Sequence, residues 1–557
     1  MAAHEAPPPR RSRGAAVAAA AGCAVALASC GALLRGAAPR TDMASLATEK
    51  WTPSVQAEAE AEALAASSSE TTTVVRLEDW LNFPSVCKWI EKYLDYDNCL
   101  SADATDLVQY LPTRMEFKLK EDLVKKSVGA QALTGHVAFN LAAYSGGPNT
   151  ILASWMVIAD YYGNIKTIEP VEYEGDLYRI FALKMWDDAK LVMAGGKNGK
   201  LRGPAFTFDW STGSLDTLIT KTFDIHDIQR AHEGTDIWTL GADLTYQELS
   251  VAKNGKEIMS NDLSKTTTIA DPNHFQLIDD DAYAIVSARL NNAIYKIHVE
   301  TGKAEWILGG ADGEFFMYGP DGQTYIAGDS YWYGQHNAEY FGDDEFLMFD
   351  NNYDEELVDA SRNSRLLAVK IDDVSMTANI TFQYDLDTYS NIFGDNDRLP
   401  TANLLACYWP SDTMDFDNQF SAKIIELDRS TSETAFELKI VNQEMTSAEC
   451  EHDVCRIQDG FFMYSVERFY DAPLVYDVSW EPKNSELTFT THNTYKQSAK
   501  YAGVAHVYDE KGVLQTTQTF AFAAFWREAS VTVTGVTAKG TVVVANAHGT
   551  SRTVSFS

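Results

Sequence analysis

From about Met115 onward, apolar and aromatic residues fall in short runs separated by Gly, Asn and Asp, and helical spacing all but disappears. That texture predicts β-strands joined by tight turns. One loose unit recurs: a strand, a short turn usually carrying Gly, and a second strand. It is clearest at residues 158–165, 208–215 and 297–304, which hold Gly163, Gly213 and Gly302. Weaker copies fall at 251–258, at 368–380 without the Gly, and at 507–514. Hairpins of one form, irregularly spaced by roughly 50 residues, predict a divergent repeat; a β-propeller accommodates them because radial blades leave only short protected edges. The expected fold is all-β, a six-bladed propeller over 115–557 with a C-terminal β segment. An elongated β-solenoid would show stricter and shorter periods.

The chain upstream has a different pattern. Between Arg76 and Leu111, the residues Trp80, Leu81, Trp89, Ile90, Tyr93 and Leu94 recur at roughly helical intervals, predicting short helices over 74–114. Residues 41–73 are Ala, Glu, Ser and Thr with few large apolar side chains, too little to offset the entropy of ordering, so they read as a disordered tether. In 1–40, Arg10, Arg11 and Arg13 precede an apolar run from Ala15 to Leu34. A basic flank before an apolar segment is the secretory pattern, read either as a cleaved signal or as an uncleaved single-span membrane anchor. Leu27-Ala28-Ser29-Cys30 has the form of a lipoprotein cleavage box, and the Ala, Arg and Ser content gives a plastid transit peptide as a third reading. The expected location is the secretory pathway, lumenal or extracellular.

Composition narrows the partners. The chain has 557 residues, 45% of them apolar, enough for a large packed core, and a formal charge of -34. Nucleic-acid binding rests on Lys and Arg neutralising phosphates, so a nucleic-acid partner is excluded. An anionic substrate would need a local pocket of positive groups. Of seven cysteines, Cys23 and Cys30 lie in the targeting run; Cys87 with Cys99 and Cys450 with Cys455 form two local pairs, predicting two short-loop disulfides, and Cys407 reads as a buried thiol. His452 lies between the second pair without a matching half, so no zinc site is predicted. Asn379-Ile380-Thr381 is the one N-glycosylation sequon.

Candidate chemistry collects between Asp271 and Arg365. Polar clusters interrupt the strands there: Asp271-Pro272-Asn273-His274, Ser287-Ala288-Arg289, Gln335-His336-Asn337, Phe349-Asp350-Asn351 and Ser364-Arg365. In a propeller, the ends of inner strands converge on a central channel, so these groups can share a site. Two imidazoles, two guanidinium groups and amides suit a sulfuryl or phosphoryl group, whose charge spreads over its equatorial oxygens during transfer. An imidazole can act as base toward an acceptor hydroxyl or as a transient carrier. The sequence holds no nucleotide-binding Gly-rich loop with a Lys, no nucleophile elbow and no metallohydrolase His/Asp set.

The order of these clusters resembles the arylsulfotransferases that use a phenolic sulfate ester in place of a nucleotide donor. The resemblance runs through His226-Asp227, Asn273-His274 to Arg289, Thr301-Gly302 to Gly310, Gln335-His336, Phe349-Asp350-Asn351, Ser364-Arg365 to Met376-Thr377, and Tyr389-Ser390 ahead of Leu399-Pro400. It covers roughly 220–410 and extends weakly to Phe520-Ala521-Phe522 and Trp526. It implies a six-bladed propeller, no cofactor and no metal, and transfer of a sulfuryl group from an aryl sulfate to a phenolic acceptor. His336 and His274 are then the expected catalytic groups, with Arg365, Arg289, Asn351 and Asn273 binding substrate. Bacterial members carry the group on a histidine from a later blade; this chain has no histidine between His336 and His452. A noncatalytic propeller that binds a ligand or protein is the alternative.

Overall fold

The computed structural model describes residues 70–557, apart from 147–148, 198–199, 233, 242–244, 264–268, 321, 354–362, 411, 414–419, 443–447, 452–453 and 458. The targeting segment 1–40, most of the expected tether and His452 therefore lie outside the described residues.

Six sheets form the blades, antiparallel except where Phe316–Tyr318 joins blade 5, each numbered from its innermost strand outward. Blade 2 runs Asp176–Met185, Lys190–Lys197, Arg202–Asp209 and Ser214–Asp224. Blade 3 runs Ile228–Arg230, Ile237–Leu240, Thr245–Ser250 and Lys256–Asp262. Blade 4 runs Pro272–Ile278, Tyr283–Ala288, Ala293–His298 and Ala304–Leu308. Blade 5 runs His336–Tyr340, Glu345–Asp350, Arg365–Asp372 and Thr377–Asp385, then gains Phe316–Tyr318 and Thr324–Tyr325. Blade 6 runs Asp395–Arg398, Leu404–Tyr408, Ala422–Asp428 and Glu433–Val441.

Blade 1 is built from both ends of this span. Its outer strands are His136–Tyr144, Ile151–Ala159 and Ile165–Pro170, while its innermost position is filled by Gly460–Phe462 and Val466–Phe469. Inner strands of blades 2 to 6 pack on one another in turn, and Val466–Phe469 closes the ring by meeting Asp176–Met185 of blade 2 on one side and Leu404–Tyr408 of blade 6 on the other. The six-bladed reading is thus realised, with the ends of the ring zipped by strand pairing.

The recurrent hairpin is the turn between the third and fourth strands of a blade. Its left-handed position is held by Gly163, Gly213, Gly255 and Gly302 in blades 1 to 4, with φ between 67° and 85°. Met376 (φ 52°) and Ser432 (φ 59°) take that place in blades 5 and 6. A search guided by Gly therefore misses the sixth copy, at 428–433. The hairpin at 507–514, by contrast, belongs to no blade.

That hairpin lies in a C-terminal two-sheet sandwich. One sheet is Leu474–Glu481, Glu486–His492 and Ala529–Thr534; the other is Leu514–Phe522, Tyr501–Asp509, Gly540–Asn546 and Ser551–Phe556. Their alternating faces share a separate core including Val475, Leu487, Val507, Phe522 and Val542. At the other end, the helices Leu77–Trp80, Pro84–Tyr93 and Ala104–Leu107 lie within the expected helical segment. Trp80 and Trp89 pack edge-on against Trp155 of blade 1. Thr71–Arg76 forms a strand with Arg114–Leu119, extending blade 6, so ordered structure starts before the expected boundary at 74. Cys87 and Cys99 form a disulfide and Cys407 is a buried free thiol. Backbone pairing sets Cys450 opposite Cys455, but their side chains lie outside the described ones.

Candidate active site

Every sequence-selected group sits at one mouth of the ring. Asn273 and His274 start the inner strand of blade 4 and Arg289 follows its second strand; His336 starts the inner strand of blade 5, Asn351 follows its second strand and Arg365 starts its third. The pairing shifts register between Pro272 and His274 and again between His336 and Glu339. Such bulges bend a strand and re-aim its side chains. Here they fall at the two candidate histidines.

His274 is buried, and its Nδ1 lies 2.7 Å from Asp227 Oδ2 on the neighbouring blade. Asp227 also accepts the Phe275 amide at 2.9 Å. Burial opposes its charge, but His274, Lys184 and the bonded amide hold the carboxyl below its ordinary value. An ionised Asp227 favours the tautomer with the proton on His274 Nδ1, the form in which Nε2 carries the lone pair. That Nε2 has no hydrogen-bond partner among the described residues.

His336 is placed differently. Its Nδ1 donates to Asn351 Oδ1 at 2.6 Å, and Nε2 accepts the Phe393 amide at 3.3 Å. Burial, then the charge of Arg289, push this imidazole down to about 3, so it is neutral at physiological pH. Asn351 in turn donates to the Ser390 and Phe393 carbonyls at 2.7 and 2.9 Å. All its polar atoms are engaged inside the protein, so its side chain positions His336.

The two arginines separate. Arg289 meets Asp271 at 3.3 Å and the Asn391 carbonyl at 3.2 Å, while its buried Nε lacks a partner among the described residues. Arg365 forms a tight pair with Asp350, 2.5 Å at the closest approach, donates to the Tyr331 carbonyl at 2.9 Å and stacks on the Tyr331 ring. Asp350 also takes the Tyr333 and Asn352 amides, so Arg365 braces the turn that presents Asn351. Asn273 donates to the Gln335 carbonyl at 2.7 Å, and its Oδ1 is buried without a partner among the described residues. The orphaned polar atoms of Asn273, His274 and Arg289 at this mouth are costly unless a ligand or water satisfies them.

Other residues complete the site. His226 Nδ1 lies 2.5 Å from Asp224 Oδ1. Burial opposes protonation of His226, but Asp224 and Asp271 outweigh it and raise its pKa. Tyr464, from the closing segment of blade 1, donates to the Asn273 carbonyl at 3.2 Å and stacks on Phe181 at 4.3 Å between ring centroids. It also packs against Phe393, His226 and His336. Clefts of about 340 and 620 Å³ lie elsewhere, lined by residues such as Trp210 and Asp471 in the first and Asn261 and Lys303 in the second; neither includes these histidines. His274, His336 and the rings of Phe181, Phe393 and Tyr464 are all buried. Nothing in the local sequence marks Phe181, Phe393 or Tyr464, since only ring closure brings blades 1, 2 and 6 to it; Asp227 was visible beside His226, but without its role.

Farther along the inner strands, Glu339 and Asp397 face Lys496, whose Nζ lies 2.8 and 2.7 Å from them. Lys496 comes from the sandwich, on the connection between Glu486–His492 and Tyr501–Asp509. The sandwich thus places a buried cation among acids of the ring. Among the described residues, no group of three or more metal-ligating side chains is found, and no helix is long and apolar enough to cross a membrane.

Residues 236–449 match the family model described as Arylsulfotransferase (ASST). The weak extension of the motif order to Phe520-Ala521-Phe522 and Trp526 falls outside that match, in the sandwich. No curated protein matches the chain. Among solved structures, the periplasmic gluconolactonase PpgL of Pseudomonas aeruginosa is 10% identical, covering 59% of this chain and 100% of its own at a TM-score of 0.33. The nidogen/laminin complex contains a chain 11% identical, covering 59% and 97% at 0.32. The Cps50 (Swd1) β-propeller domain of Myceliophteria thermophila is 8% identical, covering 60% and 96% at 0.31. At those scores the blade count rests on the strand pairing, not on the neighbours.

Proposed function

We propose, from the match of residues 236–449 to the arylsulfotransferase family model, that the ring moves a sulfuryl group from an aryl sulfate to a phenolic or other hydroxyl acceptor without a nucleotide donor. The observation that carries this reading is His274, with Nδ1 held by Asp227 and Nε2 buried and unpartnered. In the transfer, Nε2 takes the acceptor's hydroxyl proton as its oxygen attacks sulfur. The bond from sulfur to the aryl oxygen breaks, and the released phenolate, a base of pKa about 10, recovers the proton from the imidazolium. Arg289, with His226, whose pKa is raised by Asp224, supplies positive charge for the sulfuryl oxygens, and Phe181, Phe393 and Tyr464 offer apolar faces for the aryl ring. His336 and Asn351 hold the wall of the site, and Arg365 braces it from behind. Direct transfer needs no later-blade histidine.

The test incubates the purified protein with 4-nitrophenyl sulfate and phenol, without nucleotide, and follows nitrophenolate release together with phenyl sulfate. Turnover is expected, with His274→Ala and Asp227→Asn folded but reduced by about 10²- to 10⁴-fold. Full activity in both variants removes His274 from the mechanism. A noncatalytic ligand-binding propeller is the second reading, favoured by the burial of the site residues; saturable binding of aryl sulfate without any transfer would establish it.

A further inference from the structure

The outer face of blade 5 holds an unusual neighbourhood. The strand Phe316–Tyr318 pairs in parallel with Thr377–Asp385, setting Phe316 opposite Thr377 and Tyr318 opposite Asn379. Met317 between them is fully buried, whereas Phe316 is 46% and Tyr318 42% exposed, so both large rings stand on the outward face. Ala378 and Ile380 are buried, and Asn379 and Thr381 are exposed. The strand alternation therefore turns the acceptor and hydroxyl residues of the sequon Asn379-Ile380-Thr381 outward, to the same side as the two rings. Exposed aromatic pairs at such a position call for a cover.

We infer that Asn379 carries an N-linked glycan whose first sugar ring lies against Tyr318 and Phe316. Directly paired residues in neighbouring strands are about 4.8 Å apart, and same-face residues along a strand are roughly 7 Å apart. A pyranose attached at Asn379 Nδ2 thus reaches Tyr318 first and the next sugar reaches Phe316, each laying its C–H face on an aromatic face. The chemistry is a displacement on a lipid-diphosphate oligosaccharide. Asn379 Nδ2 bonds to the anomeric carbon, the bond from that carbon to the diphosphate oxygen breaks with its electron pair leaving on the lipid diphosphate, and the amide passes one proton to the medium. The Cys87–Cys99 disulfide belongs to the same oxidising compartment in which such donors are used. Attachment precedes folding, so the bonds Thr381 Oγ1 makes in the finished blade, to the Ala368 carbonyl and from Arg429, do not obstruct it.

The experiment expresses the full chain from its own N-terminus in a eukaryotic secretory host and maps its peptides by mass before and after enzymatic deglycosylation. Glycan on the 379 peptide is expected, lost in Asn379→Gln and retained in Thr381→Ser. Recovery of the secreted protein with Asn379 unmodified would overturn the inference. For the packing, deglycosylation should lower the melting temperature of the wild-type protein and leave a Phe316→Ser/Tyr318→Ser variant unchanged; an equal shift in both would show that the sugar does not rest on the rings.

Discussion

Replacing Lys496 by Met tests whether the sandwich is wired into the propeller. Lys496 is buried, and its ammonium pairs with Glu339 and Asp397, both nearly inaccessible themselves. Met keeps much of the volume and removes the charge, leaving Glu339 and Asp397 beside Asp395 and Glu467 with Lys184 as the nearby lysine among the described residues. Breaking one side of a buried ion pair costs about 3–5 kcal/mol. Unfolding entropy scales at about 2.1 cal/mol/K per residue, near 1 kcal/mol/K for roughly 490 residues, so a cooperative unit of this size should melt about 3–5 °C lower. The deficit has a pH signature. Burial already lifts the Glu467 carboxyl to about 7 and the Asp397 carboxyl well above its usual range, against the pull of Lys496. Groups raised in the folded state stabilise it below their unfolded pKa and lose that contribution as pH rises through the folded value. Glu339 behaves oppositely: burial opposes its charge, but Lys496 and Lys184 hold it below its ordinary range, so its contribution is present above the unfolded pKa and needs Lys496. Both effects make the Met variant fall further behind as pH climbs from about 4 to above 7. Thermal melts followed by circular dichroism across that range would read it. A variant within a degree of wild type at every pH would refute the claim that Lys496 holds the ring and sandwich together.

Asn351→Leu should release His336 Nδ1 and take the side-chain donor from the Phe393 carbonyl, while the Ser390 carbonyl keeps Ser364 Oγ, costing about 1–3 kcal/mol and lowering activity even though Asn351 has no free atom for substrate; chemical denaturation and the transfer assay read the two effects. The His336 imidazole, pushed down to about 3, should stay neutral throughout the working range, so its C–H resonances should not titrate above about pH 5. Cys87→Ser/Cys99→Ser removes a cross-link spanning 12 residues and should destabilise the N-terminal helices by about 3 kcal/mol, with little effect on transfer; limited proteolysis of the intact and variant proteins checks this.

Much of the fold was legible locally, because a blade's outer hairpin is a short-range object. Gly163, Gly213, Gly255 and Gly302 mark turns that need a left-handed residue, and the runs beside them have strand texture. Ser432 adopts the same conformation without the chemical signature, which hid blade 6. Hairpins of blade and sandwich look alike in sequence, so 507–514 was read into the wrong architecture. Among the site residues, the positions of Asn273, His274, Arg289, His336, Asn351 and Arg365 at strand ends followed from pattern alone. Their division of labour did not: Arg365 and Arg289 are equivalent as residue types, yet Asp350 engages the first while the second keeps a buried Nε unpartnered among the described residues.

By itself the sequence determined the strand-rich class, the repeat, the helices ahead of it, the close Cys87–Cys99 pair and the chemistry available at one mouth. These depend on spacing and residue type within a few positions of each other. It took the folded ring to bring Val466–Phe469 into blade 1, Tyr464 to His226 and His336, Asp227 to His274, and Lys496 in from the sandwich. The physical reason is that burial and charge pairing are long-range. A carboxylate's partner is selected by which strands the closed ring makes neighbours, a choice no local pattern encodes.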